Sequence, residues 1–131
     1  MKQLRIPAVY MRGGTSKGVF FLEQDLPADP AERERVLLRV IGSPDRYGKH
    51  TDGMGGATSS TSKVVILSKS KRAGCDVDYL FGQVAIDKPL VDWSGNCGKA
   101  STNRSIPFCS QSLPSTKKRT VFEALGLGSS A

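Results

Sequence analysis

The 131-residue chain holds a single histidine, His50, and three cysteines, Cys75, Cys97 and Cys109, none in a CxxC spacing. One imidazole excludes a multi-histidine metal site, and an odd number of unclustered thiols argues against a disulfide framework or a zinc centre. Aromatic residues make up only 7% of the chain, and no apolar run approaches the roughly 20 residues that a membrane span requires. The N-terminal "MKQLRIPAVY" meets Pro7 before an apolar stretch of signal-peptide length can form. A soluble protein of a reducing cytoplasm, with no membrane partner, is the expectation.

Acidic residues are also scarce, 12 against 19 Lys and Arg, which leaves a formal charge of +7. This balance invites a nucleic-acid reading. Its distribution speaks against one, because residues 99–131 carry five Lys/Arg to one acidic residue, a net +4 from a quarter of the chain. Only Lys117, Lys118 and Arg119 run together there, without the interleaved aromatics of a stacking platform. No nucleic-acid partner is expected. The length suits one domain with a core.

What is present reads as α+β. Residues Ile6–Met11 and Val19–Leu22 are strand-like, separated by "RGGTSKG" with its three glycines. Asp29 is placed to cap a helix with Pro30 at its first position and Glu32 at its third, and Val36, Leu37, Val40 and Ile41 return at helical spacing before Gly42. Ser43–Lys63 is a long loop with four glycines among small hydroxylated residues. "VVIL" at 64–67 is a buried strand. The alternation Val77, Tyr79, Phe81 changes phase to Val84 and Ile86, which reads as one or two strands interrupted at Gly82, a bulge being one form of the interruption. A short strand from Leu90 to Trp93 leads to Ser94-Gly95-Asn96-Cys97-Gly98.

Three features could carry chemistry. Cys97, between Asn96 and Gly98 after a strand, sits where backbone can approach a ligand closely and where a following helix would lower a thiol pKa. From spacing alone a small buried cysteine is the commoner reading, and the glycine neighbours favour function. "DGMGGATSSTSK" resembles a phosphate cradle without the Gly-Lys-Ser/Thr ending of a P-loop, its bland alternative being a flexible linker with His50 exposed in it. Lys63 stands at the boundary of this loop and a buried strand, where partial desolvation would bring an ammonium toward acid–base use. "MRGGTSKG" offers Arg12 and Lys17 around glycine-freed amides, an anion site in outline.

The motifs "YMRGGTSKGVFF", "DGMGGATSSTSKVVILSKS" and "DVDYLFGQVAIDKPLVDWSGNCG" closely resemble the PrpF family over about residues 4–98. The resemblance implies isomerisation of aconitate-type tricarboxylates, as in the 2-methylcitrate route of propionate breakdown, with 4-oxalomesaconate tautomerase a related member. It implies the diaminopimelate epimerase-like fold: two α+β domains, each a curved mixed sheet around a central helix, with the site between them. By the same resemblance, Lys63 and Cys97 correspond to the acid–base pair. Arg12, Gly13, Gly14, Thr15, Ser16, Asn96 and Gly98 would hold the carboxylates of the small tricarboxylate substrate, and no metal or organic cofactor is implied.

The pattern departs at Lys99, where the family continues from Cys-Gly with Asn into a small-residue helix and then a second domain. The expectation is a partial N-terminal domain over residues 1–98 and a divergent, basic, Ser-rich and poorly ordered tail over 99–131, as a shifted reading frame or premature end would give. Such a piece is expected to be inactive without the second domain. The alternative is a non-enzymatic anion-binding module that uses its basic tail on an acidic partner.

Overall fold

A computed structural model describes residues 3–13, 16–71, 73, 77–94 and 106–108. The elements run β1 (Val9–Gly13), β2 (Ser16–Leu22), α1 (Pro30–Ile41), β3 (Lys63–Lys69), β4 (Val77–Val84), β5 (Val91–Asp92) and β6 (Ile106–Phe108), with 3-10 turns at Glu23–Asp25 and Ser59–Thr61. They form one mixed six-stranded sheet in the order β1-β2-β3-β4-β5, with β6 beside the other end of β4. Among the described residues only the β2–β3 pairing is parallel, and α1 lies in its crossover.

Helix α1 starts where local chemistry dictates. The Asp29 carboxylate accepts from the Glu32 amide at 3.3 Å and Pro30 fills the first turn. Gly42, at φ 85°, ends it in the left-handed conformation. Twelve residues are too few for a stable isolated helix, so its stability comes from packing. Leu37 and Ile41 are buried with Val19 and Phe21 of β2, Val64 and Ile66 of β3, Val84 of β4 and Val91 of β5.

The register assigns the remaining residues to the opposite face. Phe20 pairs with Val65, and Val65 with Phe81; Leu67 pairs with Tyr79, and Lys63 with both Gly18 and Gln83. Val65 and Leu67 are each 3% exposed, so both faces of β3 are covered and "VVIL" is apolar at every position rather than at every second one.

Burial holds the Tyr79 hydroxyl in its neutral form and raises its pKa above the usual 10.0. The native state therefore retains that proton after the unfolded chain has lost it. Stability from this group is complete below pH 10 and is lost as the pH rises from there through the folded pKa. Tyr79→Phe should flatten that alkaline decline in urea-unfolding midpoints; an unchanged slope would mean that burial of the phenol contributes nothing.

β4 corrects the sequence reading. Its pairing with β3 is continuous from Val77 to Gln83, with no bulge at Gly82. Gly82 is instead a packing site: a Cβ there would lie 2.8–2.9 Å from Val91 Cγ1, Val64 Cγ2 and the Trp93 ring. Gly82→Ala should therefore destabilise by about 1–3 kcal/mol, read as a lower urea midpoint; an unchanged midpoint would show that Trp93 is free to move aside. β1 and β2 also extend further into "RGGTSKG" than expected, since Arg12–Lys17 and Gly13–Ser16 are register pairs. β6 is a third difference, a strand of Ile106-Pro107-Phe108 opposite Val77–Tyr79, in a stretch whose sequence shows no strand period.

The long loop after α1 is stitched to the domain rather than a flexible linker. Gly42 and Ser43 amides both donate to Leu38 O, Met54 N to Val40 O and Gly55 N to Ile41 O. The loop thus satisfies carbonyls that a helix C-terminus leaves unpaired. Ser43 Oγ donates to Ala85 O at 2.6 Å and Asp45 N to Ile86 O at 2.7 Å, which ties the loop to the β4–β5 connection. Arg39 and Asp52 form an ion pair that holds the Asp52 carboxyl below its usual pKa through hydrogen bonding and charge. The Asp45 carboxylate accepts from the Lys49 and His50 amides at 3.2 Å each. His50 is exposed as expected, but its ring bridges the loop: Nε2 accepts from Ala57 N, and Nδ1 faces Gly55 O at 3.4 Å.

Candidate active site at Lys63

Lys63 opens β3 directly after the Ser59–Thr61 turn and projects from the face opposite α1. Ser62, 1% exposed, fixes the approach. Its hydroxyl donates to Gly56 O at 2.6 Å, and its carbonyl accepts from Val84 N at 2.9 Å. Gly18 gives Lys63 room, because a Cβ at Gly18 would come within 2.9 Å of Lys63 O and 3.2 Å of its Cβ.

The lysine is half-buried and its ammonium is held on two sides. Nζ donates to Gln83 Oε1 at 2.8 Å, and it sits 5.1 Å from the centroid of the Phe81 ring. A cation over an aromatic face is attracted by the ring quadrupole. Gln83 is in turn anchored by Nε2, which donates to Ser59 O at 3.0 Å and Ser62 O at 2.8 Å. An ammonium carries three protons, so two remain to meet an incoming carboxylate.

The other residues singled out from sequence divide between the two faces. Gly13 and Ser16 are a register pair on the Lys63 side, two residues from the Met11–Gly18 pair that adjoins it. Arg12 and Lys17 pair on the α1 side, where Lys17 Nζ lies 5.5 Å from the Tyr10 ring centroid. The structure does not bring Arg12 onto the face of Lys63. Gly14, Thr15, Asn96, Cys97 and Gly98 lie outside the described residues. A groove of about 550 Å³ lined by Ile6, Phe21, Val36 and Val40 lies on the α1 side of the sheet, away from Lys63. Among the described residues, no three His, Cys, Asp or Glu side chains converge as metal ligands, and no helix is long and apolar enough to cross a membrane.

Gln83 is the residue that sequence reasoning missed. Its signal was the same change of phase that read as a bulge: on a strict two-residue period, Val77, Tyr79, Phe81 and Gln83 share a face. A glutamine therefore interrupts an apolar row at the position facing a lysine.

A mixed sheet with one helix in its parallel crossover, carrying a half-buried lysine on the face opposite that helix, is an α+β arrangement of the diaminopimelate epimerase-like class. It superimposes on the crystal structure of methylitaconate-delta-isomerase with a TM-score of 0.66 at 51% identity, over 72% of this chain and 41% of that one. The family described as "PrpF protein" matches residues 3–111, and the chain belongs to that family. The chain is 69% identical over 104 residues to the 2-methyl-aconitate isomerase of Cupriavidus necator, covering 76% of this chain and 26% of that protein. It is 57% identical over 98 residues to the 4-oxalomesaconate tautomerase of Pseudomonas putida, covering 75% and 27% respectively. The chain thus spans about a quarter of the length of the curated relatives it matches.

Proposed function

We propose that the chain supplies the Lys63-bearing wall of a cofactor-independent cytoplasmic isomerase site for aconitate-like tricarboxylates, 2-methylaconitate foremost. The observation that carries this reading is the held ammonium of Lys63, joined to Gln83 on the face opposite α1, where Gly18 lets β2 approach the lysine closely. The 69% identity to a protein named 2-methyl-aconitate isomerase supports the choice of substrate.

In this reading Lys63 and Cys97 share two proton transfers. One group removes a proton from the carbon beside a carboxylate. The electron pair moves through the conjugated system, the double bond shifts by one position, and the other group returns a proton at the far end. No oxidant or reductant enters. The charge that develops on the substrate's carboxylate in the transition state meets the remaining ammonium protons of Lys63 or the donors around Ser16, in surroundings that need no reorganisation. A second domain, as the family resemblance implies, closes the site; binding belongs to this chain and turnover to the completed site.

Calorimetric titration with trans-aconitate tests the reading. Saturable one-to-one binding, at least tenfold tighter than that of the monoanion crotonate, is the expected result. Equal affinity for the two, or no saturation, would refute a tricarboxylate site on this face.

A further inference from the structure

We propose that Gln83 is a positioning residue, and that its neutral amide fixes which way the Lys63 amine points and keeps the lysine available for proton transfer. The inference rests on the reading of Lys63 as a proton-transferring group, but its test needs no turnover and so can fail separately from that reading.

The orientation of the amide follows from its partners. One end of the Gln83 side chain lies 3.0 Å from Ser59 O and 2.8 Å from Ser62 O. Both are carbonyl oxygens that can only accept, so that end is the NH2 group with its two donors, and the oxygen is left to face Lys63. A flipped amide would set an oxygen against two oxygens and an NH2 group against an ammonium. The anchors come from the turn that delivers the chain into β3, so the loop, the amide and Lys63 form one rigid series.

A neutral acceptor matters at this position. Oε1 takes one N–H of Lys63 whether the nitrogen is an ammonium or an amine, so the lone pair of the amine points away from Gln83. A carboxylate there would hold the proton through its charge. Few other charges compete on this face. The titratable groups that share it are Lys69 at the far end of β3, Tyr79 on β4 and Asp92 on β5; Val9, Met11, Gly13, Ser16, Gly18 and Phe20 of β1 and β2 carry none. Asp92 pairs in register with Gln83, and its carboxylate is occupied by the Ser94 hydroxyl and amide, which hold its pKa below the usual value.

The experiment is acylation of the protein with acetic anhydride across a range of pH, read at Lys63 by peptide mass mapping with the exposed Lys69 as internal standard. Gln83→Glu should move the Lys63 labelling profile to higher pH, slowing labelling by about tenfold or more at a fixed pH below the midpoint, while Lys69 is unchanged. Simple loosening of the strand would expose Lys63 and speed its labelling, so slowing separates positioning from a structural role. Equal labelling of Lys63 in wild type and Gln83→Glu overturns the proposal. If circular dichroism shows that Gln83→Glu is unfolded, Gln83→Met decides: it removes the acceptor without adding charge and should move the midpoint of the Lys63 profile to lower pH while the limiting labelling rate at high pH, and Lys69, stay unchanged, whereas loosening would raise the limiting rate. An unmoved profile in that variant overturns the proposal as well.

Discussion

Lys63→Ala should leave the domain folded and remove proton transfer. The lysine is half-buried and its ammonium lies over the Phe81 ring, so truncation forfeits a cation–π contact of about 0.5–1 kcal/mol at a site of this exposure. Gln83 keeps both of its backbone anchors. The unfolding midpoint should therefore fall only slightly. The chemical effect is far larger, because a positioned acid or base contributes on the order of 10²–10⁴-fold to the rate. In protein carrying the completed site, incorporation of solvent deuterium into trans-aconitate, followed by NMR, should drop by that factor. Undiminished exchange in Lys63→Ala would remove Lys63 from the mechanism.

Gly53→Ala should be among the most destabilising single-methyl additions in the chain. Gly53 has φ 76°, a conformation that costs a residue with a Cβ about 1–2 kcal/mol. The new methyl would also fall on Gly42 N and the Ile41 carbonyl, backbone atoms that cannot swing away as a side chain does. Overpacking of this kind adds about 1–3 kcal/mol, giving a loss of about 2–5 kcal/mol in all. The damage reaches the site because the Met54 and Gly55 amides that cap α1 follow directly, and the same loop leads on to Ser59 and Ser62. Urea unfolding gives the stability, and hydrogen exchange at Met54 and Gly55 should accelerate in parallel. Gly48→Ala is the control: its φ is also positive, at 61°, but nothing lies within 4 Å of its Cβ position, so only the conformational cost applies. Equal losses for the two variants would contradict the clasp between loop and helix.

Features set by neighbours in sequence could be read without a structure. The Asp29 cap, Pro30 and Gly42 bound α1 because each acts within one turn of the chain. "VVIL" announced a strand because a run apolar at every position has to be covered on both sides. The fold class followed from three motifs in a fixed order, and the match to methylitaconate-delta-isomerase agrees with it. Features set by distant partners were less legible. Gly82 is small because Trp93 and Val91 from the next strand lie over it, and nothing local to Gly82 encodes that approach. The loop from Ser43 looked flexible because its anchors, Val40, Ile41, Ala85 and Ile86, lie outside it. The sequence sets Arg12 and Lys17 around the glycine-freed amides of one loop, and only the register shows that these two pair on the face opposite Gly13 and Ser16.

The most direct measurement is a heteronuclear NMR titration of the protein with trans-aconitate, with lysine side chains and backbone amides observed together. A substrate seated against Lys63 should shift the signals of Lys63, Gln83 and Ser16 in one saturable process and leave Lys17 and Lys69 unmoved. Shifts centred on Arg12 and Lys17, with Lys63 and Gln83 silent, would place the anion on the α1 face and contradict the assignment of Lys63 to the active site.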